Sequence, residues 1–155
     1  MNALVVYFSK FGNTKTVAEA IAETLEAQYS VRTLSAERLA DSDLSGVDLL
    51  VMGCPTHRMN LPEAVRPVFE ALPKRVLHGA PVAAFDTSYE MSAFLSRFTA
   101  AKKLAQELRK LGGKRVVPPE TFHVAGREGP LCDGELDRAR EWAGAILRKL
   151  DSRPA

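Results

Sequence analysis

A strand-like and a helix-like pattern take turns along this chain from one end to the other, and few folds accept that alternation. Ala3–Phe8 is a short apolar run with β-branched and aromatic residues, which reads as a buried strand. Thr14–Tyr29 then places Val17, Ile21 and Leu25, with Ala18 and Ala22 beside them, on one helical stripe. Ser30–Leu34 reads as a second strand. Val47–Gly53 reads as a third, apolar enough to be buried on both faces. A helix is expected from Pro62 to Leu72, its proline in the first turn where no backbone donor is lost. Pro81–Asp86 makes a fourth strand, Thr99–Leu111 a helix closed by Gly112-Gly113, and Lys114–Val117 a fifth strand. Leu136, Ala139, Ala143, Ile146, Leu147 and Leu150 line a last helix.

Strands alternating with helices require a parallel sheet covered on both faces. Five strands in 155 residues fit a doubly wound α/β domain of order 2-1-3-4-5, and neither a repeat nor a linker divides residues 1–155. In such a sheet ligands sit outside the carboxyl ends of the strands. Four loops arrive there: Ser9–Thr14, Cys54–Leu61, Thr87–Phe98 and Pro118–Gly129.

The first loop, Ser9-Lys10-Phe11-Gly12-Asn13-Thr14, passes directly from strand to helix. An oxyanion there meets unpaired backbone N–H groups and the positive end of the helix dipole. Gly12 permits a tight turn, Ser9, Thr14 and Thr16 bring hydroxyls, and Asn13 suits a turn. A plainer reading has Thr14 capping the helix and Gly12 turning the chain. No Gly-x-Gly-x-x-Gly and no Gly-x4-Gly-Lys-Ser/Thr is present, which weighs against dinucleotides and nucleoside triphosphates.

Ser9–Thr14 resembles the flavodoxin phosphate loop, Ser/Thr-x-Thr-Gly-x-Thr, with Phe11 replacing the middle hydroxyl residue. Gly53-Cys54-Pro55-Thr56-His57 is similar to the Gly-x-Pro-Thr that opens the family's first flavin loop. Asp86-Thr87-Ser88-Tyr89 falls where the second begins. The resemblance spans nearly the whole chain and implies a flavodoxin-like fold that binds FMN. It assigns Ser9, Phe11 (through its backbone), Gly12, Asn13 and Thr14 to the phosphate, with Lys10 adding charge or facing solvent. Pro55, Thr56, His57 and Arg58 would lie beside the isoalloxazine, as would Asp86, Thr87, Ser88 and Tyr89, with Tyr89 the stacking aromatic. Met91, Phe94, Leu95 and Phe98 would form a flap, a partner surface or plain packing. Phe122 and His123 are weaker candidates to flank the same crevice, and Trp142 reads as packing or surface.

The activity implied is electron transfer through FMN. Its alternative is an FMN-dependent oxidoreductase of NAD(P)H:quinone reductase or protoporphyrinogen-oxidising type. A receiver domain would need acidic residues after the first strand and at the end of the third, where Ser9-Lys10 and Cys54 stand. Dedicated flavodoxins tend to be strongly acidic, whereas this chain carries a net charge of +2. Its charges are interleaved along Ala101–Lys110 and Glu135–Lys149 as on solvated helix faces, without the basic stripe nucleic acid requires. The expected partner is a redox protein or a small-molecule electron donor or acceptor, with the chain a monomer or weak dimer. No apolar run reaches the roughly 20 residues of a membrane span, and no signal segment precedes the first strand, so cytoplasmic residence is expected. Cys54 and Cys132 form neither a metal cluster nor a disulfide framework.

Overall fold

A computed structural model describes residues 1–56, 60–89 and 99–153. Its elements follow in the order β1 (Asn2–Tyr7), α1 (Asn13–Leu25), β2 (Ser30–Ser35), β3 (Leu49–Pro55), α2 (Val65–Glu70), β4 (Pro81–Ser88), α3 (Ala100–Lys110), β5 (Lys114–Arg115), β6 (Glu120–His123) and α4 (Glu135–Asp151). Two short 3-10 turns, Ala36–Arg38 and Asp41–Leu44, bridge β2 to β3. The sheet is parallel, in the order β2-β1-β3-β4-β5, with β6 also paired to β4.

The parallel strands alternate their apolar side chains between two cores. On one face Val5, Val51, Ala83 and Phe85 meet Val17, Ile21 and Leu25 of α1 and Ala139, Ala143 and Ile146 of α4. On the other, Leu4, Val6, Leu50, Met52 and Ala84 meet Leu104 and Leu108 of α3 and Val65 of α2. Covering both faces explains why β3 and β4 read as unbroken apolar runs.

β3 and β4 run on to Pro55 and Ser88, past the expected Gly53 and Asp86, and three further differences have a visible cause. The helix after β3 is shorter, Val65–Glu70, because Pro62 and Glu63 only accept turn bonds from the amides of Val65 and Arg66. The helix after β1 stops at Leu25, where the amides of Gln28 and Tyr29 both turn back to the Leu25 carbonyl. The fifth strand comes in two pieces along the same edge of β4. Lys114 and Arg115 pair with Pro81 and Val82, and after a gap Glu120–His123 pairs with Phe85–Ser88. Pro118 and Pro119 fall in that gap and have no N–H to give the ladder. What reads as the start of the last loop is therefore strand.

A half-buried ion network fastens β6 to α4. Glu135, 6% exposed, accepts the His123 amide at 2.6 Å and both carboxylate oxygens take Nη1 of Arg138. Arg138 also reaches Glu120 and the Thr121 carbonyl, and its guanidinium lies 5.2 Å from the Phe122 ring centre. The charges on α4 are therefore not all on a solvated face. Among the described residues no helix is long and apolar enough to cross a membrane.

Candidate functional site

The carboxyl ends of β1, β3, β4 and β6 bring the expected loops to one end of the sheet. Gly12 stands just before α1 with φ 93°, a left-handed conformation that a β-carbon resists. Ser9 folds its hydroxyl back beneath the turn, where Oγ accepts the amides of Gly12 at 3.0 Å and Lys15 at 3.3 Å. Apart from the Ser9 hydroxyl on the Lys15 amide, no side-chain cap covers the start of α1, at the positive end of its dipole. Thr16 turns its hydroxyl onto the Gly12 carbonyl at 2.8 Å.

Thr14 is not the cap. It is the second residue of α1, 2% exposed, and its hydroxyl meets that of Thr87 at 2.8 Å. That buried bond ties the first loop to the end of β4. Asn13 gives its side-chain amide to the Glu128 carbonyl at 3.1 Å, so the last loop is fastened over the same turn. Lys10 and Phe11 are exposed, with Nζ 5.3 Å from the Phe11 ring centre. Tyr89, 47% exposed, stands just past β4 as the other large apolar side chain open to solvent near this end among the described residues.

Pro55 ends β3 opposite Thr87, and the Thr56 amide bonds the Thr87 carbonyl at 2.9 Å. Ser88 is buried and its hydroxyl turns to the Tyr89 carbonyl. His57 and Arg58 lie outside the described residues, as do Met91, Phe94, Leu95 and Phe98. Phe122 leaves the crevice altogether. It is fully buried against Phe85 and Trp142 in the α1/α4 core. His123 stays at the end of β6 beside Ser88, its Nδ1 buried without a hydrogen-bond partner.

Asp86 points inward, to the start of α3, and is completely buried. Its Oδ2 accepts the Thr56 hydroxyl and, at 3.2 Å, the Ala101 amide, while Oδ1 has no hydrogen-bond partner. Burial pushes its carboxyl above the ordinary range, against the Thr121 and Thr56 hydroxyls and the amides of Ala101 and Ala100. Nothing in the chain order announces this arrangement, since Thr56 and Ala101 lie 30 and 15 residues from Asp86.

The pH consequence has a definite sign. The folded chain keeps the Asp86 proton above the roughly 3.9 at which an unfolded carboxyl releases it, so folding binds more protons in that window. Stability from this group falls as pH rises through the window, and the cost is complete above the folded value. Asp86→Asn keeps an acceptor without the charge. Urea denaturation is expected to show the variant gaining on the wild type from about pH 4 upward, then levelling. A difference that stays constant with pH would remove the charge cost.

Cys54 is buried on β3 beside Asp86, and burial, then the Asp86 charge, pushes its thiol well up. It is no nucleophile near neutral pH. Cys54 and Cys132 are both free thiols, and no group of ligating side chains among the described residues suits a metal ion. A hollow of about 620 Å³ opens at the other end of the sheet, but Asp41 and Asp48 on its lining would repel a phosphate.

A doubly wound parallel sheet with a Ser-x-x-Gly turn leading from its first strand into α1, and an exposed aromatic past β4, defines the class of α/β protein. The flavodoxin family model matches residues 5–142, and the chain belongs to that family. A flavodoxin of Maridesulfovibrio salexigens is 28% identical over 96% of this chain and 98% of its own length. The structure of a flavodoxin from the domain Archaea superposes with a TM-score of 0.74 at 21% identity, covering 97% of this chain and 99% of that one. Oxidised flavodoxin 2 from Bacillus cereus gives a TM-score of 0.76 at 18% identity, covering 96% and 99%. Flavodoxins bind FMN and pass electrons through it to redox partners, so electron transfer is the function that membership carries. These likenesses lend nothing to the reductase alternative.

Proposed function

We propose that residues 1–155 form a single domain that holds FMN by its phosphate in the turn from Ser9 to Thr14. The observation that carries this reading is the open start of α1 behind a left-handed Gly12. The amides of Asn13 and Thr14 at that start, with those of Lys10 and Phe11, suit a phosphate dianion, and Ser9 keeps the turn in shape from beneath. Thr14 and Asn13 act from behind, since their side chains brace the turn against β4 and the 124–131 loop. Pro55, Thr56 and Tyr89 flank the ring side, where His57 and Arg58 are assigned by resemblance alone. Asp86, Thr87 and Ser88 support these loops from below.

FMN, when bound, supplies the electron-accepting and electron-donating chemistry. The chain binds and orients it, and presents Phe11 and Tyr89 as apolar surface beside it. With a net charge of +2, the chain suits a neutral or acidic redox partner better than the basic ones that acidic carriers attract. The free thiols suit a reducing cytoplasm, and monomer or weak dimer is the expected state.

The test is a fluorescence titration of the flavin-free chain with FMN and with riboflavin. FMN is expected to be quenched stoichiometrically. Riboflavin, lacking the phosphate, is expected to bind about a hundredfold more weakly, the worth of one or two hydrogen bonds to a charged group. Gly12→Ala, forced into a left-handed conformation, is expected to weaken FMN about tenfold. No quenching by FMN would sink the reading, and equal affinity for both flavins would remove the phosphate site.

A further inference from the structure

We infer that Asp86 is a positioning residue that couples the two ring-side loops to each other, holding Thr56 after β3 and the start of α3 in one buried hydrogen-bonded chain. The inference rests on the FMN reading above and deepens it.

The chain of bonds has a single direction. The Ala100 amide donates to Thr56 Oγ1 at 3.1 Å, and the Thr56 hydroxyl donates to Asp86 Oδ2. The Ala101 amide donates to the same oxygen at 3.2 Å. Thr56 directly precedes residue 57, and Ala100 and Ala101 follow closely on residue 98. One carboxylate therefore fixes the end of the chain entering the first ring-side loop and the end leaving the second.

These bonds are strong for their number. Asp86 is wholly buried, so water does not compete for Oδ2, and the carboxylate faces the positive end of an 11-residue helix. Thr56 is placed by two bonds of opposite sense, accepting from Ala100 and donating to Asp86, and this leaves its hydroxyl one orientation. Its own amide is tied to the Thr87 carbonyl, so backbone and side chain are both spoken for. The cost of burial is the other half of the argument. A carboxyl with no exposed surface is costly, and packing alone would be served better by an apolar side chain in this strand. The carboxylate is retained for what Oδ2 holds.

Asp86 does not reach the flavin in this account. It acts through Thr56 and through the first turn of α3. Loss of the carboxylate frees both ends at once, whereas an amide in its place keeps the acceptor and the coupling.

The experiment uses Asp86→Ala, Asp86→Asn, Thr56→Val and the Asp86→Ala/Thr56→Val pair. FMN affinity is read by quenching, and exchange of the Ala100 and Ala101 amides is read by NMR on the flavin-free chain. Asp86→Ala and Thr56→Val are each expected to weaken FMN about tenfold, and the pair no more than either alone, because both cut one chain. Asp86→Asn is expected to stay within about threefold of wild type, and in the flavin-free chain to leave the Ala101 amide protected. Additive losses in the pair would overturn the inference, as would Asp86→Asn failing like Asp86→Ala. If the chain takes up no FMN at all, the FMN reading fails separately. Amide exchange then decides the coupling: faster exchange at both alanines in Asp86→Ala and Thr56→Val supports it, and unchanged exchange refutes it.

Discussion

Gly53→Ala is expected to destabilise the fold by about 3 kcal/mol, the upper end of what overpacking a core costs. A β-carbon at position 53 would stand 2.1 Å from Cζ of Phe85, and 2.3 and 2.4 Å from its Cε2 and Cε1. The ring has nowhere to retreat. Phe85 is fully buried, and its edge contacts with Phe122 and Trp142 each place ring centres 6.0 Å apart. Relief must come from moving β3, whose neighbours β1 and β4 hold it by hydrogen bonds along its length. Chemical denaturation followed by far-UV circular dichroism measures the loss. An unchanged midpoint would mean that the Phe85 ring turns aside freely, against the packing described.

Trp142→Ala is expected to cost still more, about 4 kcal/mol, as large aromatic truncations in a core do. Trp142 is only 8% exposed and closes the triangle with Phe85 and Phe122 beneath α4. Edge-to-face geometry adds to the area buried, so Trp142→Leu restores some of the stability without restoring all of it. The two substitutions act through the same ring. Trp142→Ala opens space into which Phe85 can shift, so the double variant is expected to lose less than the sum of the singles. A strictly additive pair, measured by urea denaturation, would show the rings to be independent.

The alternation of strand and helix was legible because parallel strands covered on both faces must be apolar at nearly every position. Val51, Met52, Ala83 and Ala84 say so on sight. The turn into α1 was legible where backbone conformation does the work, as at Gly12, whose left-handed φ of 93° glycine supplies readily. Asp86 was not, because its meaning depends on Thr56 and the α3 start, which only the folded sheet brings near. An aspartate ending an apolar run reads as the first residue of a loop, and here it is a buried anchor. Glu135 misleads in the same way, since its spacing to Arg138 suits a solvated helix face while the pair sits against β6. Trp142 was open between core and surface in the sequence, and Phe85 and Phe122 decide it.

The break in the last strand has a consequence for how the molecule keeps company with its own copies. An outermost strand offers a row of unmet donors and acceptors, on which a stray extended chain can extend the sheet. Here that border is two residues, then Pro118 and Pro119, then four residues bound down by the Glu135–Arg138 pair. Along this border an incoming chain finds no uninterrupted row to read.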